Sequence, residues 1–343
     1  MKVLVTGGAG YIGAHVVRLL QRRDDTVIVV DDLSTGVAEN VGTAALVHLD
    51  LSVPDCVEKL ENVLTEYAVD AVIHIAAKKQ VGESVERPVW YYQQNVGGFG
   101  HLLQAMQAAG VNKMMFSSSA AAYGKADVPA GQLVTEDTAP QPISPYGETK
   151  LVCEWMMRAA GVSWGLRGVG LRYFNVAGTG WPELGDPTVL NLIPLALRSL
   201  TAGERPKVFG NDYPTPDGTG IRDYVHVLDL ADAHLAALDY LERDDRPYDI
   251  FNVGTGHGSS VLEVLAEIGK SSGYAIDPEI VARRPGDPAE VAADVSRIKE
   301  ALGWTSRHTL AEMTDSAWTA WELTHGEPKV APTGTGRATP ARR

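Results

Sequence analysis

Cysteine is nearly missing from this 343-residue chain: only Cys56 and Cys153 occur, far apart and outside any C-x-x-C. That excludes a disulfide-stapled scaffold and predicts a reduced, cytoplasmic protein. The nine histidines form no H-x-x-x-H and no mixed Cys/His cluster, so no metal site is expected. No apolar run approaches the ~18 residues that would span a bilayer. The opening "MKVLVTGGAG" passes from a short apolar run straight into glycines, without the apolar region of a signal peptide. Basic charge is in deficit, 30 Lys and Arg against 43 Asp and Glu, for a net −13. Such a surface repels nucleic acid and anionic membrane, and leaves room only for local basic pockets. No internal repeat is visible. The stretch 327–343, "EPKVAPTGTGRATPARR", has no apolar period and is expected to be a disordered tail.

What is present is an ordinary globular composition, 45% hydrophobic and 21% charged, in a length that suits two domains or one large α/β unit with an appended lobe. "KVLVT" at 2–6 is a β-rich run, "GGAGYIG" follows at 7–13, and "AHVVRLLQRR" then has helical spacing. Gly7, Gly10 and Gly13 thus stand at a strand-to-helix turn, where glycine lets the backbone approach a pyrophosphate and the helix start supplies N–H donors. A second buried strand, "TVIVVDD", ends in Asp31, about where a carboxylate meets adenosine ribose hydroxyls; an acid there favours NAD over NADP. Further strands are expected to end at Asp50, over 70–77 and over 112–119, with helices between them, notably 91–110. This alternation predicts a Rossmann-type doubly wound parallel sheet with a smaller mixed α/β C-terminal lobe. Ligands in such sheets lie beyond the carboxyl ends of the strands, which nominates Asp31, Asp50, Lys78, Lys79, Ser117, Ser118 and Ser119.

"SPYGETK" at 144–150 is the other signal. Pro145 suits a first helical turn, and Tyr146 and Lys150 share one face at i and i+4. By itself the spacing fits a solvated helix face as well as a catalytic pair. An ammonium close by would draw the phenol pKa down from ~10 and make Tyr146 a proton acceptor for an alcohol. Ser119, at a strand end upstream, could share the same substrate oxygen.

With these stretches, the chain resembles the extended short-chain dehydrogenase/reductase family and, within it, the UDP-glucose 4-epimerase family. The matching segments include "VTGGAGYIGAH", "AVIHIAA", "VGESVERPVWYYQQNV", "SSSAAAYG", "LRYFNVAG", "GNDYPTPDGTGIRDYVHV" and "RRPGDPAE", and they cover most of 1–325. The resemblance implies an NAD-binding domain over 1–175 with chain returning from parts of 221–255, and a UDP-sugar-binding lobe over 176–326. It implies an isomerase of carbohydrate (galactose) metabolism that holds NAD tightly and regenerates it each turnover. UDP-galactose and UDP-glucose would interconvert by transient oxidation at C4 to a 4-keto sugar. It also implies a homodimer with a four-helix interface through 88–110 and 146–160.

Residue by residue, the resemblance puts the pyrophosphate on Tyr11 and Ile12, and the adenosine ribose on Asp31, Asp32, Leu33, Ser34, Thr35 and Gly36. Asp50 and Leu51 would hold adenine. Ile75, Ala76, Ala77, Lys79, Asn95, Ser117 and Phe174 would flank the nicotinamide half, and Lys150 would grip its ribose. Tyr146, Lys150 and Ser119 would be catalytic. The sugar nucleotide would meet Lys79, Ser119, Tyr146, Asn175, Asn191 and Leu192, with uracil on Lys207, Val208 and Phe209. Arg222 and Arg284 would bind the diphosphate and Asp287 the uridine ribose.

Departures from the family pattern fall at Ala121, where threonine is usual, at Gln94, where asparagine is usual, and at Lys78, where "AKK" replaces "GLK". Val291 stands where some members carry a tyrosine that narrows the sugar pocket, so UDP-GlcNAc and UDP-GalNAc are expected to be accepted too. Three other functions compete with this one. A sugar 4,6-dehydratase needs an acid–base pair after Ser119, and Ala120, Ala121 and Ala122 cannot supply it. A 4-epimerase for UDP-glucuronate or UDP-xylose is the nearer alternative. A non-catalytic NAD-binding regulator on the same fold would not need both Tyr146 and Lys150.

Overall fold

The computed structural model describes residues 1–125, 128–129, 131–243, 248–284 and 286–325; the 327–343 tail lies outside the described residues. Strands run in chain order β1 (Lys2–Thr6), β2 (Thr26–Asp31), β3 (Ala45–His48), β4 (Ala71–His74), β5 (Lys113–Ser119), β6 (Arg167–Tyr173), β7 (Asn175–Ala177) and β8 (Lys207–Phe209). They continue with β9 (Ile221–His226), β10 (Tyr248–Val253), β11 (Gly258–Ser260), β12 (Glu279–Val281) and β13 (Glu290–Val291). Seven of them form one sheet, in the order β10-β6-β5-β4-β1-β2-β3, with every pairing parallel.

Side-chain alternation along the strands builds two cores. Val3 and Val5 face the helices Tyr11–Arg22 and Val227–Arg243, burying Val16, Leu20, Leu230 and Leu238. Leu4 and Ile28 face the opposite layer, against Leu60, Leu102 and Met157 of the helices Cys56–Glu66, Gly98–Ala109 and Pro145–Trp164. The chain reverses direction of travel across the sheet at β1, which has β4 on one side and β2 on the other. A crevice opens there, outside the strand ends.

The C-terminal lobe carries its own core of Ile193, Leu197, Val208, Leu265 and Trp318. Strands β7, β9, β11 and β13 form a small sheet, and β8 pairs with β12. Strand β10 returns to the main sheet from between them. No helix among the described residues is long and apolar enough to cross a membrane.

Two elements differ from the sequence reading. The helix expected over 88–110 is broken by a wider π-type turn at Tyr92–Gly97, which feeds Gln94 and Asn95 into the crevice wall. The strand expected over 70–77 stops at His74, because the Ile75 and Ala76 amides turn to donate to the Thr6 carbonyl. Ile75–Ala77 thereby become lining rather than sheet.

Histidine burial sets an acid limit on this fold. The rings of His15, His226 and His234 are pushed down to about 4, and His74 to about 3, in each case chiefly by desolvation. Geometry agrees for two of them: His15 Nε2 accepts from Gly180 N at 2.9 Å, and His226 Nδ1 accepts from Leu228 N at 3.0 Å, so both are neutral. The unfolded chain therefore binds more protons than the folded one between the ordinary histidine pKa and pH 4, and stability falls as pH drops through that window. We expect the melting temperature to drop by roughly 10 °C between about pH 7 and pH 5, with onset near ~6.5 rather than in the carboxylate range. Calorimetry that finds the same melting temperature at both values would refute it.

Candidate active site

Twenty-three of the residues expected at the site line one crevice of about 460 Å³, together with Lys78, Gln94 and Ala121. They are Gly7, Gly10, Tyr11, Ile12, Gly13, Asp31, Asp32, Ser34, Thr35, Gly36, Asp50, Leu51, Ile75, Ala76, Ala77, Lys79 and Asn95; Ser119, Tyr146, Lys150, Phe174, Asn175 and Asn191 complete the wall.

The glycine turn is built by steric necessity. Gly7 has φ +73°, and a Cβ at Gly13 would lie 2.0 Å from the Gly7 carbonyl oxygen. At Gly10 a Cβ would meet only that same oxygen, at 3.5 Å, so this glycine is kept for the space it leaves in the crevice. The helix Tyr11–Arg22 starts there with no side-chain cap among the described residues, which leaves first-turn N–H groups for an anion. Asp31 is positioned by the Ala9 amide at 3.0 Å and the Leu33 amide at 2.9 Å. Burial, partly offset by these donors, raises its carboxyl. Donor set, uncapped helix start and open Gly10 together fit a dinucleotide.

The helix Pro145–Trp164 starts at Ser144, whose Oγ accepts from Gly147 N at 3.2 Å, with Pro145 in its first turn. That start aims Tyr146 into the crevice, whose wall it shares with Ser119. Lys150 lies one turn deeper and is 3% exposed. Its ammonium donates to the Ser117 carbonyl at 2.7 Å and sits 5.9 Å from the Tyr146 ring centroid.

The expectation that Lys150 directly holds a Tyr146 phenolate needs correcting. Desolvation raises the Tyr146 phenol, and the bond from Ser119 offsets it only in part. Burial likewise pushes the Lys150 ammonium down to about 8. The two groups are close, but low dielectric penalises both charges.

Strand alternation also sorts the three serines. Ser117 contributes its carbonyl, while its hydroxyl pairs with His234 Nε2 at 2.8 Å. Ser118 turns away and donates to Glu154, which Arg172 grips through Nε at 2.9 Å and Nη2 at 2.6 Å. Ser118 is therefore part of a buried ion-pair network and not of the crevice. Only Ser119 presents its side chain to Tyr146.

Other expected residues lie apart. Leu192 lines a neighbouring cavity that shares Asn175 and Asn191 with the crevice. Leu33 is held in the left-handed region at φ 53° and contributes its amide to Asp31. Arg222 is paired with Asp287, and Arg284 stacks over Phe209 at 3.9 Å. Lys207, Val208 and Phe209 form β8 beside β12. Arg222 shares the lobe sheet with Asn175 of the crevice wall: Asn175 sits opposite Tyr224, and Val291 opposite Arg222. Val291 packs in the cluster that contains Phe174 and Ala120.

Sequence reasoning missed Gly147. A Cβ there would lie 2.4 Å from the Ala121 carbonyl oxygen, so this glycine lets the helix start close on the Ala120–Ala122 turn. A glycine in a helix's first turn, where it costs stability, was the available signal.

A sheet, glycine turn and tyrosine–serine–lysine group of this kind can be compared with known proteins. The model of the NAD dependent epimerase/dehydratase family matches residues 3–254. The chain belongs to that family. Within this epimerase/dehydratase family, a UDP-glucose 4-epimerase from Corynebacterium glutamicum is 43% identical over 324 residues, 93% of this chain and 95% of its own. A crystal structure of the UDP-glucose 4-epimerase from Stenotrophomonas maltophila, with bound NAD and formylated UDP-arabinopyranose, matches with TM-score 0.88 at 39% identity, covering 95% of this chain and 99% of that one. The UDP-Glc/GlcNAc 4-epimerase of Campylobacter jejuni matches with TM-score 0.82 at 37% identity, over 94% and 99%.

Proposed function

We propose that this chain is an NAD-dependent UDP-sugar 4-epimerase that interconverts UDP-galactose and UDP-glucose. The observation that carries the reading is the meeting of Tyr146 and Ser119 on the wall of the crevice that the glycine turn and Asp31 also line, with Lys150 buried one helical turn below. Tyr146 takes the proton of the sugar 4′-hydroxyl while Ser119 holds the same oxygen. When bound, NAD supplies the hydride acceptor and donor at C4, and its cationic ring supplies the positive charge that a buried tyrosinate requires. Lys150 keeps one donor on the Ser117 carbonyl and turns its remaining donors to the cofactor ribose. The glycine turn and Asp31 hold the pyrophosphate and the adenosine ribose.

The UDP half is assigned to Asn175, Asn191, Leu192, Lys207–Phe209, Arg222, Arg284 and Asp287. Arginine suits it because the planar guanidinium gives paired N–H bonds to phosphate oxygens. Anchors concentrated on the nucleotide leave the sugar free to turn and offer its other face. Val291, in the same cluster as Phe174 and Ala120, is smaller than a tyrosine, and on that ground we include UDP-GalNAc and UDP-GlcNAc in the substrate range. The domain division follows: 1–175 with returning chain for NAD, and 176–326 mainly for the sugar nucleotide. A homodimer accounts for the apolar side chains left exposed on facing helices, Val85 at 62%, Val89 at 69%, Trp155 at 51% and Val162 at 85%. Two buried, unpaired cysteines suit the cytoplasm.

Incubation of purified protein with UDP-galactose, and separately with UDP-GalNAc, without added NAD, tests this reading. The 4-epimer is expected from both. No UDP-glucose from UDP-galactose would overturn the epimerase assignment; an unchanged UDP-GalNAc alone would overturn the part given to Val291.

A further inference from the structure

Lys78 makes a bridge that the catalytic reading does not use. It lies in the connection after β4, and its Nζ donates to Asp32 Oδ2 at 3.0 Å and to Ser34 Oγ at 2.7 Å in the connection after β2. Strand β1 lies between β4 and β2, so the lysine side chain crosses above the glycine turn that follows β1. All three residues line the crevice.

Both ends of the bridge are anchored. Asn95, which is 4% exposed, receives the Lys78 amide on Oδ1 at 2.8 Å and donates from Nδ2 to the Lys78 carbonyl at 3.0 Å. The same Nδ2 reaches Thr149 Oγ1 at 3.1 Å, and Thr149 donates to the Tyr146 carbonyl at 2.7 Å. The base of the bridge is thus tied to the helix that carries Tyr146. On the far side, Asp32 Oδ1 accepts from both the Ser34 amide at 2.9 Å and the Ser34 hydroxyl at 2.6 Å, which fixes the two acceptors relative to each other.

We propose that Lys78 is a strap over the cofactor: it closes the mouth of the crevice across a dinucleotide seated on the glycine turn, and slows its departure. The proposal rests on the dinucleotide placement given above. Lys78 is a positioning residue; it acts on how long NAD stays and not on the reacting atoms. An enzyme that oxidises and re-reduces one sugar carbon within a turnover gains from this, because a cofactor lost between the two half-reactions strands the 4-keto sugar. The side chains of Lys78 and Asp32 are 22% and 32% exposed, so the bridge is weakened by salt.

The test is cofactor exchange. Holoenzyme loaded with radiolabelled NAD is chased with unlabelled NAD, and retained label is followed in time. We expect K78M to exchange about tenfold faster than the parent, the loss of about 1.4 kcal/mol of barrier. K78R, which keeps a cation of similar reach, is expected to exchange within about threefold of the parent. S34A, which removes one of the two acceptors, is expected to fall between parent and K78M, and reads the bridge with Lys78 intact. Raising salt to about 1 M should accelerate the parent and leave K78M unchanged. Equal exchange by parent and K78M, with the same response to salt, overturns the strap alone. A parent that retains no labelled NAD overturns the dinucleotide placement and the strap together.

Discussion

Tyr146→Phe is expected to lower kcat by about 10³-fold or more, while the purified variant keeps its NAD and its affinity for UDP-sugar. Only one hydroxyl is removed. Tyr146 is 7% exposed and the phenylalanine ring keeps its packing, so the fold loses at most one hydrogen bond, worth ~1 kcal/mol. What is lost is the atom that receives the 4′-hydroxyl proton. Ser119 cannot replace it, because its Oγ already accepts from Ala121 N at 3.1 Å, and an alkanol is a far weaker base than a phenolate. Lys150 is the other candidate base among the described residues: its ammonium is pushed down to about 8 by burial, but it is held on the Ser117 carbonyl. A Tyr146→Phe variant with kcat within about tenfold of the parent would move the base elsewhere, and Lys150→Met would then decide whether it is Lys150. A non-catalytic NAD-binding protein predicts no change at all.

Gly147→Ala is expected to cost about 10² in kcat with NAD retained, although the change adds one methyl group outside the reacting atoms. Its Cβ would lie 2.4 Å from the Ala121 carbonyl oxygen and 3.0 Å from the Ala121 carbonyl carbon, with Pro142 Cβ at 3.2 Å. Two of these atoms are backbone and cannot rotate away, so the helix start must lift. Tyr146 is the adjacent residue, and it shares the crevice wall with Ser119. A displacement of several tenths of an ångström shifts Tyr146 relative to Ser119 and misaligns the phenol, whereas the glycine turn around Gly7–Gly13 lies on other elements and is untouched. Steady-state kinetics together with the NAD content of the purified variant separate the outcomes. A kcat within about threefold of the parent would mean that the helix start yields without moving Tyr146.

Wherever chemistry is written in a local pattern, the sequence is a good guide to this protein. Gly7, Gly10 and Gly13 between a β-rich run and a helical period announce a dinucleotide turn because Gly7 and Gly13 admit no side chain on that backbone and Gly10 keeps the crevice open. Asp31 is readable from its place at the end of the next strand, and Tyr146 with Lys150 from their spacing behind Pro145. The parallel sheet follows from alternating periods of two and 3.6 residues. Each of these signals lies within one element or one turn.

What only the tertiary structure decided involves residues that the chain brings together from far apart. The Gly147–Ala121 contact, the Lys78 bridge to Asp32 and Ser34, and the pairing of Arg222 with Asp287 have no local signature. The serines at 117, 118 and 119 look alike in the sequence, and only the strand's pleat assigns one carbonyl, one ion-pair contact and one hydroxyl to three places. Ionisation is the clearest case. Spacing alone predicts that Lys150 lowers the Tyr146 phenol, yet burial raises it, because desolvation depends on everything packed around a group and not on its neighbour in the chain.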